Sequence, residues 1–69
     1  MRPSTGWDSL TERERRVAEL VADGATNRDV AAALVISTHT VDSHLRHVFA
    51  KLAISSRVQL AAIVTKQTG

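Results

Sequence analysis

Residues 26–52, TNRDVAAALVISTHTVDSHLRHVFAKL, decide the fold of this 69-residue chain. Apolar residues recur at helical spacing in two parts of the stretch, about residues 27–34 and about residues 38–52. Thr26 can cap the first helix and Ser37 the second, because both side chains can accept from the unbonded amides of a first helical turn. Two helices joined by about three residues have the spacing of a helix-turn-helix.

Capping patterns on either side of this stretch predict two more helices. Thr11 and Glu14 have the spacing of a capping box, and a helix follows over about residues 11–23. Residues 56–59, SRVQ, repeat the pattern and open a helix over about residues 57–66. The sequence therefore predicts an all-α fold, a compact four-helix domain with a helix-turn-helix formed by the second and third helices.

The predicted domain covers residues 10–66. Residues 1–9 contain the only proline, one glycine and several small polar residues, so we expect a flexible N-terminal segment. Residues 67–69 are expected to form a short tail. We expect Trp7 to cover the small core, with a contact to an upstream domain as the alternative.

The composition excludes several classes of protein. A chain of 69 residues has room for one small domain and none for a catalytic cleft, so we expect neither an enzyme nor a cofactor. The absence of cysteine excludes disulfides and thiol chemistry. No apolar run reaches the roughly 18 residues of a membrane span, and no signal peptide is recognisable, so we expect no membrane partner.

The charges are distributed unevenly along the chain. The net charge is +2, but residues 1–34 carry five basic and six acidic groups, and residues 35–69 carry four basic groups and one acid. A basic half indicates a polyanionic partner, with an ordinary solvated face as the alternative. A small metal-binding helical protein is a weaker alternative, because no cysteine accompanies the histidines. These histidines are His39, His44 and His47.

The third predicted helix has two chemically different faces. Its apolar stripe consists of Val41, Leu45, Val48, Phe49 and Leu52. Its opposite side carries His39, Ser43, Arg46, His47 and Ala50. The major groove of DNA admits one α-helix, whose polar side chains can read base edges. This face therefore favours DNA binding, with the solvated side of an ordinary amphipathic helix as the alternative.

Groups suited to phosphate lie at the predicted helix ends. The N-termini of the second and third helices attract anions through their unbonded amides and positive dipole ends. Side-chain donors at these ends and along one flank of the third helix could add contacts. The predicted phosphate contacts are Thr26, Asn27, Arg28, Thr38, Thr40, His44 and Lys51.

The fourth predicted helix is apolar on more than one side. One face holds Val58 and two alanines, and a second face holds larger aliphatic residues. So short a helix needs two burial partners, and we expect these to be the domain's own core and a second chain. The predicted dimer interface consists of Leu60, Ile63 and Val64.

Five short motifs occur in a specific order and spacing. They are Leu10-Thr11-x-Arg13-Glu14, Gly24-x-Thr26-Asn27-Arg28-Asp29-Val30-Ala31, Ile36-Ser37-x-x-Thr40-Val41-x-x-His44-Leu45, Lys51-Leu52 and Ser56-Arg57. Over about residues 10–64 the chain resembles the LuxR-type (GerE-type) helix-turn-helix domain of bacterial transcription regulators.

The resemblance implies sequence-specific binding of double-stranded DNA, with the recognition helix 38–52 in the major groove. It also implies that helix 57–66 pairs two copies on DNA and that a sensor domain precedes the domain in a longer regulator. RNA polymerase is a further candidate partner, and the location would be cytoplasmic, at the bacterial nucleoid. The resemblance implies base contacts by Asp42, Ser43 and Arg46. The polar face of the helix adds His47 to the expected base contacts.

Two residues depart from the family pattern. Asp42 stands where lysine or arginine is usual, and an acid there could accept from cytosine N4 but would repel a phosphate. Ala53 stands where glycine often ends the third helix, so that helix end could differ. The resemblance also suggests an ion pair between Glu14 and Arg57. Because of Asp42, a protein-interaction module that docks a polymerase subunit or a sensor domain is the alternative function.

Overall fold

Four α-helices make up the computed structural model, which describes residues 6–68. They are α1 (Glu12–Ala22), α2 (Asn27–Leu34), α3 (Thr38–Leu52) and α4 (Arg57–Thr68). The predicted all-α fold is confirmed, and no strand occurs within the described range. α4 runs two residues further than predicted, into the predicted tail. α1 contacts each of the other three helices and so lies at the centre of the arrangement.

A 3₁₀ turn over Trp7–Ser9 leads into α1. These residues belong to the segment for which the sequence predicts flexibility, whereas residues 1–5 of that segment lie outside the described range. Trp7 is packed against the core, and the guanidinium of Arg15 lies 5.5 Å from its ring centroid. That distance is within the range of a cation–π contact. The indole therefore covers the core in the way the sequence predicts.

Side-chain caps begin the first three helices. Thr11 Oγ1 accepts from the Glu14 amide at 3.1 Å, while the Glu14 carboxylate accepts from the Thr11 amide at 2.9 Å. Thr26 and Asp29 form the same reciprocal pair, with both hydrogen bonds at 3.1 Å. Ser37 accepts from an amide in the first turn of α3. The capping boxes at Thr11 and Thr26 are complete, and their contacts span only three residues. The box predicted at residues 56–59 forms only in part, because Ser56 Oγ accepts from the Gln59 amide at 3.2 Å but the Gln59 side chain accepts from the Ser55 amide.

Three helices end in the same hydrogen-bonding arrangement, although only one of them uses glycine. A residue in the left-handed conformation follows each helix: Val35 directly after α2 with φ of 56°, Ala53 directly after α3 with φ of 55°, and Gly24 two residues after the end of α1 with φ of 99°. Left-handed backbone costs an L-residue roughly 1–2 kcal/mol. Ala53 nevertheless ends α3 at the predicted position, so the helix end is not shifted. In each case a backbone amide beyond the helix donates to a carbonyl five residues earlier. These hydrogen bonds run from Ala25 to Leu20, from Ile36 to Ala31 and from Ile54 to Phe49.

Aliphatic side chains from all four helices fill the core. Each of these buried side chains stabilises the fold by about 1.5–3 kcal/mol. The largest ones that are fully buried are Leu10, Val17, Val30, Val41, Val48 and Leu60. Within the described part of the chain, no single helix is long and apolar enough to cross a membrane. Only the pair α3 and α4, bent by 70° at their junction, reaches the required length and composition.

A buried ion pair joins α1 to the last turn of α3. Glu14 is 5% exposed, and its Oε1 lies 2.7 Å from Lys51 Nζ. The ammonium also donates to the Ser9 carbonyl at 3.2 Å, and the Lys51 carbonyl accepts from the Gly6 amide at 2.8 Å. We call these four residues and their contacts the Glu14–Lys51 clasp. The clasp fixes the end of α3 against the start of α1 and holds the 3₁₀ turn in place.

The ion pair suggested between Glu14 and Arg57 is wrong. Arg57 Nη2 instead donates to Asn27 Oδ1 at 2.6 Å and so joins the first turns of α2 and α4. Glu14 takes Lys51 as its cation because the packing of α3 on α1 places that ammonium directly on the buried carboxylate.

Burial alone would raise the pKa of Glu14, because desolvation penalises the charged carboxylate. Hydrogen bonds from Lys51 and from the Thr11 amide outweigh that effect, and the pKa of Glu14 is lowered overall. A lowered carboxylate pKa contributes stability above the ordinary value of 4.5, and this contribution is lost as the pH falls below that value. The clasp is therefore fully formed at neutral pH.

We expect Val35→Gly to raise the free energy of unfolding by about 1 kcal/mol, measured by urea denaturation. Glycine relieves the left-handed strain, and its extra unfolded-state entropy costs only about 0.5–1 kcal/mol. Val35 is 89% exposed, so little packing is lost. The matched control is Gly24→Ala, which should lose stability by strain alone because its added Cβ meets no atom within 4 Å. A Val35→Gly variant that is less stable than the wild type would contradict the prediction.

We expect Lys51→Ala to lower the free energy of unfolding at neutral pH by about 2–4 kcal/mol, because it leaves a buried carboxylate without its cation. The loss should shrink in acid, as the pH falls through the lowered pKa of Glu14 and the protonated carboxyl needs no cation. Urea denaturation at neutral and acidic pH measures both effects. The control is Lys66→Ala, since Lys66 is exposed. Unchanged stability in Lys51→Ala would show that Lys51 has no structural role.

Candidate nucleic-acid interface

One side of α3 presents polar groups to solvent. We define the α3 outer face by the residues opposite the apolar stripe, which are His39, Ser43, Arg46, His47 and Ala50. The side chains of Arg46 and His47 are 81% and 67% exposed, and Ser43 is half-buried. No large apolar side chain stands on this face, because the stripe packs into the core. A flat or grooved partner could therefore approach the helix closely.

Asp42 forms an ion pair with Arg46, one helical turn later. Arg46 Nε lies 3.3 Å from Asp42 Oδ2, and the Asp42 side chain is 50% exposed. This i, i+4 pair lies at the edge of the α3 outer face. Because Nε faces the carboxylate, the two terminal nitrogens of the guanidinium are the donors that remain for a ligand. The one acid on this helix thus restrains its exposed arginine.

Two predicted contact residues of α3 lie close to Glu14. His47 Nδ1 is 3.7 Å from Glu14 Oε2, so a protonated imidazole would extend the clasp. Lys51 is 30% exposed, and two of its three ammonium donors are already used by Glu14 and the Ser9 carbonyl. The structure therefore gives Lys51 a role in the scaffold that differs from the predicted phosphate contact.

The N-terminus of α2 collects several of the predicted phosphate contacts. Asn27 turns its side-chain oxygen to Arg57, which leaves the amide NH₂ group as a donor on its other side. Thr26 caps the helix, and Arg28 beside it is exposed. The guanidinium of Arg57 joins this group from α4 across 30 residues of sequence. Sequence reasoning missed Arg57 here, because no local pattern shows that α4 begins beside α2.

The N-terminus of α3 carries short hydroxyl side chains. Thr40 Oγ1 lies 2.9 Å from Ser37 Oγ, which also accepts from the Thr40 amide at 3.1 Å. Thr38 is exposed beside them, and His44 is half-buried one turn further along. Short side chains leave the first-turn amides open to an anion. Among the described residues, no three histidine or acidic side chains come together in a way that could hold a metal ion.

The face of α4 predicted to meet a second chain packs mostly into the core, and the opposite face is exposed. Leu60 is fully buried and Val64 is 7% exposed, so both belong to the core and neither is open to a second chain. Of the three predicted dimer contacts, only Ile63 is partly exposed. Val58, at 80% exposed, and Ala62 lie on the outward side. The prediction failed because periodicity cannot tell which of two apolar faces a neighbouring helix, here α1, will cover.

The basic half of the chain is partly neutralised by internal pairs. Arg46 and Lys51 are each ion-paired within the chain. Among the described residues, no ion pair involves Arg57 or Lys66. The positive field of this half is therefore weaker than its formal charge suggests. Backbone amides, hydroxyls and a few arginines must carry most of any attraction for phosphate.

Known proteins resemble this chain along most of its length. The family described as bacterial regulatory proteins, luxR family, matches residues 8–64. An HTH-type transcriptional regulator of Mycobacterium bovis is 54% identical over 59 residues, which cover 86% of this chain and 7% of that protein. One of Aeromonas salmonicida is 47% identical over 57 residues, with coverage of 83% and 29%. A nitrate/nitrite response regulator homologue of Haemophilus influenzae is 42% identical over 60 residues, with coverage of 87% and 29%.

The chain spans between 7% and 29% of the length of these relatives. The family match begins in the 3₁₀ turn and reaches into α4, so it includes the complete helix-turn-helix of α2 and α3. The chain belongs to the luxR family of bacterial regulatory proteins and is a DNA-binding regulatory domain, not an enzyme.

Proposed function

We propose that this chain is the output domain of a bacterial transcription regulator and that α3 enters the major groove of a specific double-stranded DNA site. The observation that supports this most directly is the α3 outer face, where an 81% exposed arginine stands among short polar side chains. A helix with such a face fits the major groove without steric conflict. The proposed base contacts are Ser43, Arg46 and His47, and Asp42 is expected to act on the bases through its ion pair with Arg46.

Phosphates on either side of the groove would be bound by the N-termini of α2 and α3. Each end offers unbonded amides and short donors, and the α2 end adds two arginines. Lys51 is left out of this set because its ammonium is held in the clasp. The proposed phosphate contacts are Thr26, Asn27, Arg28, Thr38, Thr40, His44 and Arg57.

Two copies of the domain would pair on DNA through the outward side of α4. Val58 is 80% exposed and is the largest exposed apolar side chain of a patch on this side of α4. Ala62 lies one turn further on the same side, and Ile63 is partly exposed beside it. A two-fold pair formed by this patch would place two copies of α3 on two half-sites.

The longer relatives suggest the setting in which the domain acts. One of them is named a response regulator, and all three extend well beyond the matched region. We propose that a sensor domain precedes this domain in the whole protein and controls its pairing on DNA. The protein would work in the cytoplasm at the nucleoid, with RNA polymerase as a further partner.

The domain should select a defined sequence from random duplexes. Its affinity should fall by about 0.9 log units per log unit of salt concentration for each phosphate that the domain neutralises. Arg28→Ala and Arg57→Ala should each reduce that slope by about one per bound chain and leave the sequence preference intact. Arg46→Ala should relax the preference at one base pair by about 1–3 kcal/mol. Lys66→Ala is the control. Failure to bind any duplex, with tight binding to a polymerase subunit or sensor domain, would favour the protein-interaction alternative.

Val58→Asp should prevent two chains from assembling on a duplex with two half-sites, because it places a charge at the centre of the apolar patch. Binding to a single half-site and thermal stability should stay unchanged, since Val58 is outside the core. Sedimentation of the protein–DNA complexes measures the number of chains bound. Val58→Thr keeps the branched shape and should weaken pairing only slightly. Wild-type pairing by Val58→Asp would rule out this patch as the interface.

A further inference from the structure

We propose that Asp42 is a positioning residue for Arg46 and that the pair selects guanine at the base pair that Arg46 reads. This inference rests on the proposed reading of DNA by α3. An acid on a DNA-facing helix repels phosphates, so its presence needs a compensating role. The ion pair at 3.3 Å between Asp42 Oδ2 and Arg46 Nε supplies that role.

The geometry of the pair determines which base fits. A guanidinium carries its donors in one plane, and Asp42 takes the Nε side of that plane. The two terminal NH₂ groups, which lie side by side in the same plane, are then the donors left for a base. Guanine presents two acceptors, O6 and N7, to the major groove, whereas adenine presents one acceptor and one donor. A fork that only donates therefore matches guanine and meets an unfavourable donor on adenine.

The ion pair also restricts the conformations of an exposed side chain. Arg46 is 81% exposed and extends from the edge of α3, so an unrestrained side chain would occupy many rotamers. Holding Nε on the carboxylate one turn earlier removes part of that freedom before DNA arrives. Less entropy is then lost on binding, and misdirected contacts to phosphate become less favourable. Asp42 thus weakens the general attraction for DNA and increases the selectivity at one base pair.

Asp42→Asn tests the proposal by selection of binding sites from random duplexes and by titration of the selected duplex and its single-base variants. The preference for guanine should fall about three- to tenfold, the range expected when a flexible side chain must be immobilised on binding. Affinity for random duplexes should rise, because a negative charge is removed. Arg46→Ala should abolish the guanine preference. In that background, Asp42→Asn should change the base preference no further.

Glu19→Gln is the matched control, because it removes a half-exposed acid paired with Arg16 at 4.0 Å on α1 and changes the net charge equally. It should leave the base preference unchanged. The proposal is overturned if Asp42→Asn keeps the full guanine preference. It is also overturned if Asp42→Asn alters a preference in the Arg46→Ala background, since Asp42 would then read a base itself. A wild-type chain that selects no sequence would instead refute the proposed DNA reading.

Discussion

The buried carboxylate of Glu14 is the constraint on which the rest of this small domain depends. It closes the capping box of α1 and binds the ammonium of Lys51 from the last turn of α3. Lys51 in turn holds the 3₁₀ turn through Ser9 and Gly6. A single carboxylate thus links three elements, and an unpaired charge there would cost several kcal/mol, about the scale of a small domain's total stability. The orientation of the α3 outer face follows from this anchor.

The charged side chains of the domain stabilise its own structure as well as attract DNA. Lys51 is used inside the scaffold, and Arg46 is held by Asp42 on the surface. Positive charge not engaged in ion pairs comes from other helices, such as Arg28 on α2 and Arg57 on α4, where it is available to phosphates. In this arrangement, contacts to the DNA backbone position the domain, and a separate set of contacts reads the bases. A modest net charge is therefore compatible with selective DNA binding.

The ends of α2 and α3 show how far tertiary packing can override a local preference. Val35 and Ala53 adopt left-handed backbone that glycine would adopt more easily, yet both helices close with the same bonds as the glycine-terminated α1. Ile36 and Ile54, which follow these two residues, are packed against the core. Burial of these isoleucines offsets the strain, so the turns that set the angles between helices are retained.

The sequence by itself determined the four helices, the start of α3 and the caps at Thr11 and Thr26, because these depend on contacts within one turn. Its motifs also identified the family. Only the tertiary structure decided that Lys51 pairs with Glu14, that Arg57 meets Asn27, and that Leu60 and Val64 turn inward. Each of these outcomes depends on which helix surfaces meet across long separations in sequence. Periodicity gives the faces of a helix, but packing chooses which neighbour covers each face.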